Sequence, residues 1–93
     1  MRKIEIEMLS AIQSMSTWRN GNTSVSIHSV NGIAVPNVFL HGNHIASVEN
    51  NKVHVNEYTL KKWPTPTTKS RLRALGVNVT TKSGVTYLNG RAI

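Results

Sequence analysis

Turn signals recur so closely between Thr23 and Tyr58 that the chain between them has little choice of fold. Asn31-Gly32, Gly42-Asn43 and Asn50-Asn51 separate short stretches whose apolar residues alternate with polar ones. Asn-Gly is a strong two-residue hairpin signal, because both central residues must adopt positive φ. Strands joined by such tight turns pair antiparallel with their sequence neighbours, which predicts a meander. Val25, Ile27 and Ser29 alternate in the first strand, and Pro36 marks an edge or a bend in the second. A turn at 42–43 pairs Phe39 with Ala46, and a turn at 50–51 pairs Val48 with Val53 and Ala46 with Val55. On that register Phe39, Ala46, Val48, Val53 and Val55 share one apolar face.

Helical patterns flank the meander. Ile4, Met8, Leu9 and Ile12 recur at helical spacing between Arg2 and Ser14, and Glu5 and Glu7 sit in the first turn, at the positive end of the helix dipole. After the strands, Thr65 caps a second helix with Pro66 at its first position, and Gly76 stops it. Thr68, Leu72 and Leu75 take one side of that helix. Arg71 falls on one flank, and Lys69 with Arg73 on the other. The end of the chain reads as a hairpin turning at Ser83-Gly84, with a further turn signal at Asn89-Gly90. The expected fold is α+β in the order α-β-β-β-β-α-β-β, one domain over residues 1–93. A basic helix followed by a hairpin also fits a winged helix, but that fold needs helices where residues 44–58 alternate like strands.

Charge is segregated along the chain. Residues 1–49 balance Arg2, Lys3 and Arg19 against Glu5, Glu7 and Glu49. The remainder sets Lys52, Lys61, Lys62, Lys69, Arg71, Arg73, Lys82 and Arg91 against Glu57 alone, so the whole net charge of +7 lies in the second half. Segregation of one sign favours an anionic partner. Its centre is KKWPTPTTKSRLRALG, with five cations and no acid. The candidate contact residues for nucleic acid or a protein partner are Lys61, Lys62, Trp63, Thr65, Thr67, Thr68, Lys69, Arg71, Arg73 and Lys82. The threonines place hydroxyls at a helix N-terminus, and Trp63 and Tyr87 offer stacking surfaces.

The remaining chemistry is sparse. Cysteine is absent, which removes disulfides, thiolate nucleophiles and thiolate-bound zinc. Aspartate is absent as well, and the four glutamates are scattered without a spacing that builds a shared acid–base site. His41 and His44 face each other across a turn at 42–43, but a zinc site needs further ligands that the pattern does not supply. No Gly-x-Ser-x-Gly elbow, Ser-x-x-Lys pair or glycine-rich phosphate loop occurs. The expectation is a non-catalytic protein with no cofactor and no metal. No apolar run reaches the length of a membrane span, and the N-terminus lacks the apolar stretch of a signal peptide.

Three fragments, VFLHGNHIA, WPTPTTKSRLRALG and VTTKSGVTYL, resemble in this order a group of small uncharacterised proteins encoded by tailed bacteriophages. The matching positions are Leu40, His41, Gly42, Ile45 and Ala46, then Trp63, Thr65, Thr67, Thr68, Lys69, Arg71 and Leu72, then Tyr87. Lys62 stands where the group commonly has glycine. The resemblance implies phage origin and residence in the host bacterial cytoplasm, and it lends no enzymatic activity. Two readings follow. One is an accessory, host-takeover protein that binds nucleic acid through its basic surface. The other is an inhibitor docking on a host protein, such as a nucleic-acid-processing enzyme or a defence component, through the same face.

Overall fold

A computed structural model describes residues 1–93 and shows an α+β architecture. Helix α1 (Lys3–Gln13) precedes five strands: β1 (Trp18–Asn20), β2 (Thr23–Val30), β3 (Ile33–Leu40), β4 (Asn43–Glu49) and β5 (Lys52–Val55). Two helices follow, α2 (Glu57–Lys62) and α3 (Pro66–Ala74), and then β6 (Val79–Lys82), β7 (Val85–Leu88) and β8 (Arg91–Ala92). Strands β1 to β5 form one antiparallel meander in sequence order, and β6 to β8 a second, smaller one. The expected elements are present. The chain adds β1, α2 and β8, three short elements that strand and helix periodicity alone did not resolve.

One register differs from expectation. The turn between β3 and β4 is centred on His41-Gly42 rather than Gly42-Asn43, with φ of 52° and 78°. Asn31-Gly32, Ser83-Gly84 and Asn89-Gly90 have the same pattern of a positive-φ residue followed by glycine. This is the I′ preference for glycine second, which puts Gly42 where φ is largest. Phe39 therefore pairs with His44, and a β-bulge follows, so that Val38 pairs with Ala46. The bulge lets consecutive residues Ile45 and Ala46 both point into the core, and both are buried. It also restores the register of the next hairpin, where Val48 pairs with Val53 and Ala46 with Val55 across Asn50-Asn51. Phe39 consequently lies on the opposite face from Val53, beside His28 and His44. The shared apolar face is built by Val25, Val38, Leu40, Ile45 and Ala46, with Val53 and Val55 packed against it.

That face is covered by Met8 and Ala11 from α1, Leu60 from α2 and Leu72 from α3, and Val79 and Leu88 of the second sheet close the same core. Thr65 caps α3 by accepting from the Thr68 N–H at 3.1 Å, with Pro66 next to it. At the other end Gly76 (φ 92°) and Val77 donate to Arg73 and Leu72 carbonyls, a Schellman stop of the kind glycine permits.

No helix is long and apolar enough to cross a membrane.

Candidate functional site

Three of the candidate contact residues belong to the interior. Arg71 is 3% exposed, and its guanidinium lies 2.8 Å from the Glu5 carboxylate. Its Nε–H donates to the Thr23 hydroxyl at 3.0 Å, and the Ser70 hydroxyl donates to the same Glu5 carboxylate oxygen, Oε2, at 2.5 Å. The pair ties α1, β2 and α3 together. Lys69 is 8% exposed and donates its ammonium to the Thr81 hydroxyl of β6. Thr68 is buried and bonds the capping Thr65 hydroxyl at 2.9 Å. Lys69 and Arg71 were expected on solvated flanks of α3. The second sheet covers the Lys69 flank, and α1 brings Glu5 to the Arg71 flank; neither neighbour is encoded in the periodicity of α3 itself.

Of the candidate cations, Lys61, Lys62, Arg73 and Lys82 remain open. Arg73 donates Nε–H to the Val79 carbonyl at 2.7 Å, which leaves the rest of its fork outward. Glu57, the only acid of the second half, is engaged by Arg91 at 3.1 Å. No carboxylate therefore pairs with Lys61 or Lys62, since the chain has just these two ion pairs.

Helix α2 presents two aromatic rings with those lysines. Tyr58 is 72% and Trp63 40% exposed. The Lys62 ammonium lies 4.6 Å from the Trp63 ring centroid and 5.8 Å from that of Tyr58. Helix α2 starts because Asn56 accepts from the Thr59 N–H at 3.2 Å, Glu57 supplies an acid in its first turn, and Lys61 and Lys62 close its last turn. Leu60 anchors its inner side in the core.

Beneath Trp63 lies a half-open cavity of about 280 Å³, lined by Leu40, His41, Asn43 and Ile45 of the β3–β4 hairpin and by Thr59, Trp63, Thr65 and Thr68. Thr67 is half-buried one position away, outside this lining. Two of the fragments quoted above, distant in sequence, thus meet at one wall and one floor. Leu40, His41, Asn43, Ile45, Tyr58 and Thr59 were not among the expected contact residues; only the fold brings them to Trp63. Tyr87 is half-buried in β7 and lines no part of the cavity.

The histidines do not face each other. His41 occupies the turn itself, and His44 sits on the outer face of the sheet in a network with Asn37, Ser47 and Asn56. Ser47 Oγ lies 3.2 Å from His44 Nε2, and Asn56 lies 3.1 Å from Nδ1, a Ser-His-Asn arrangement. Its hydrogen bonds assign the tautomer against nucleophile activation. Asn37 donates Nδ2–H to the Val35 carbonyl, so its Oδ1 must accept from His44 Nε2–H at 2.8 Å. Asn56 gives its Oδ1 to Thr59, so its Nδ2–H donates to His44 Nδ1. The Nε2 lone pair that a base would need toward Ser47 is therefore occupied by a proton. No group of three or more His, Cys, Asp or Glu side chains gathers to hold a metal ion.

This network makes the Asn56 cap sensitive to proton uptake. Burial pushes the His44 imidazole below its ordinary value of 6.5; hydrogen bonding to the Ala46 backbone opposes this, and the nearby His28 adds to it. The unfolded chain then takes up the proton first, so stability is full above about pH 6.5 and declines as pH falls below it. Thermal melts across this range are expected to show that decline, and His44→Gln, which keeps an N–H donor for Asn37, is expected to flatten it.

A second hollow, a groove of about 530 Å³, lies at the opposite end of the main sheet. Met15 and Ile33 line it, both about half exposed, and Val30 pairs with Ile33 beside it.

No curated protein and no solved structure matches the chain. The family model described as Kyanoviridae Gp96 protein matches residues 1–93, so the chain belongs to that family of phage proteins.

Proposed function

We propose that this phage protein is a non-catalytic accessory protein that binds nucleic acid through the exposed face formed by Tyr58, Lys61, Lys62 and Trp63, with Arg73 and Lys82 extending the positive field. The observation that carries the reading is the pairing of two exposed rings with lysines that no carboxylate neutralises. Rings take bases by stacking, which is sequence-tolerant, and lysines take phosphates. A surface of this kind serves contact with a polyanion better than it serves a protein interface, whose centre is depleted in lysine.

The test is a salt titration with a labelled single strand. Binding that neutralises about three phosphates gives a slope of log K against log salt near −2. Lys61→Ala and Lys62→Ala are each expected to weaken binding and reduce the slope by roughly one contact's share, with unchanged melting. No measurable affinity at low salt, or a slope indifferent to both substitutions, overturns the reading. The groove edged by Met15 and Ile33 favours a second reading, docking on a host protein. That reading expects a stoichiometric partner that survives nuclease treatment and is lost on Ile33→Asp.

A further inference from the structure

We infer that the cavity beneath Trp63 holds one unpaired base, which makes the ligand a single strand gripped by base insertion as well as by its phosphates. The inference rests on the nucleic-acid reading above and goes further by naming the form of the ligand and where it is held.

The cavity has the layout a base requires. Leu40 and Ile45 are buried hydrophobics and form an apolar floor, and the Trp63 ring forms a wall. Its polar lining divides into occupied and free groups. Thr65 and Thr68 satisfy each other at 2.9 Å in capping α3. The Asn43 amide, the His41 imidazole and the Thr59 hydroxyl make no hydrogen bond to another protein group and remain open to a ligand. An amide carries a donor and an acceptor side by side, the complement of the polar edge of a nucleobase. Single-stranded recognition generally combines these parts: a splayed base stacked on an aromatic ring and hydrogen-bonded at its edge.

Size and charge narrow the occupant. A volume of about 280 Å³ lies at the lower limit of small-molecule pockets, which suits one planar ring system and not a whole nucleotide. The sugar and phosphates must then stay outside. The Lys62 ammonium lies 4.6 Å from the Trp63 ring centroid, which sets a cation beside that wall for a flanking phosphate, and Lys61 is exposed next to it in the chain. A paired base cannot enter without being unstacked, which costs a few kcal/mol per step. That cost selects single strands.

The experiment uses Trp18→Phe protein, in which Trp63 is the sole tryptophan and reports directly on the cavity. The probes are a single strand, a strand of equal length made wholly of abasic residues, and the corresponding duplex. Base-bearing single strands are expected to quench Trp63 emission and to bind more than about tenfold tighter than the abasic strand or the duplex. Trp63→Ala is expected to weaken single-strand binding roughly 5- to 150-fold, the range seen on removing a stacking ring, and Trp63→Phe to recover part of it. Abasic and base-bearing strands binding equally, with Trp63 emission unmoved, overturn the base pocket and leave the phosphate surface standing. Failure of every strand to bind at low salt overturns both. A duplex that binds as tightly as the single strand, with Trp63→Ala unaffected, overturns the pocket alone.

Discussion

Arg71→Ala is expected to lower stability by about 3–5 kcal/mol, the cost of leaving one member of a buried ion pair without its partner. For a domain of this size that is a fall in Tm of more than about 12 °C. Both side chains are 4% exposed, so water cannot replace the lost guanidinium. Glu5 would keep the Ser70 hydroxyl and the Arg2 N–H and lose the only cation facing it. Exchanging both partners for apolar residues of similar volume, Glu5→Leu with Arg71→Met, is expected to recover most of the loss, because the pair's attraction mainly offsets its own desolvation. Scanning calorimetry on the two variants checks both statements. An Arg71→Ala protein that melts within a few degrees of the parent would show that the pair is hydrated in solution.

The same pair sets the acid limit. Burial alone raises the Glu5 carboxyl, but hydrogen bonds from Ser70, the Arg2 backbone and Arg71, together with the Arg71 charge, outweigh it and hold the group below its ordinary 4.5. A depressed carboxylate contributes its stability above the unfolded value and loses it as pH falls through the folded one. Acid unfolding is therefore expected to set in below about pH 4.5 and to become shallower in the Glu5→Leu, Arg71→Met protein.

Leu60→Ala is expected to cost about 2–5 kcal/mol, the range for truncating a buried leucine, and to act on the site as well as on the core. Helix α2 has six residues, too few to persist on propensity. It is held by the Asn56 cap and by Leu60, which is 1% exposed. With Leu60 truncated, α2 releases and Trp63 swings from the cavity wall into water. The readouts are a lowered melting temperature and red-shifted Trp63 emission in the Trp18→Phe background. A large loss of stability without an emission change would separate the site from α2.

What could be read from the chain alone divides along the range of the interactions. Hairpin turns, the Thr65 cap and the Gly76 stop are local, and Asn31-Gly32, Asn50-Asn51, Thr65-Pro66 and Gly76 announce them directly. The β3–β4 turn sits one residue earlier than its sequence suggests, because Gly42 has plausible partners on both sides. The bulge that corrects the register leaves no compositional mark, since Ile45 and Ala46 look like ordinary strand residues. Helix α2 had a readable start in Asn56-Glu57, hidden by the strand-like alternation running into it. The interior placement of Arg71 was not legible at all. Its role is set by Glu5, 66 positions earlier, and an arginine on a helix flank looks the same whether solvent or a carboxylate awaits it. The candidate site was half visible, in Trp63 with Lys61 and Lys62. Its floor lies in a different hairpin.

The sequence separation of Glu5 and Arg71 also implies an order of events during folding. Each hairpin of the meander pairs residues that leave the ribosome close together, so it can close as it emerges. Helix α1 leaves first and finds no counter-charge. Until α3 is free to pack, docking α1 would bury a bare carboxylate, so α1 is expected to stay hydrated and off the sheet. A released chain truncated before residue 71 is expected to hold a paired meander with an undocked N-terminal helix, because no cation then faces the Glu5 carboxylate. Arrival of α3, which carries Arg71 together with the core residue Leu72, is the step expected to let the interior close.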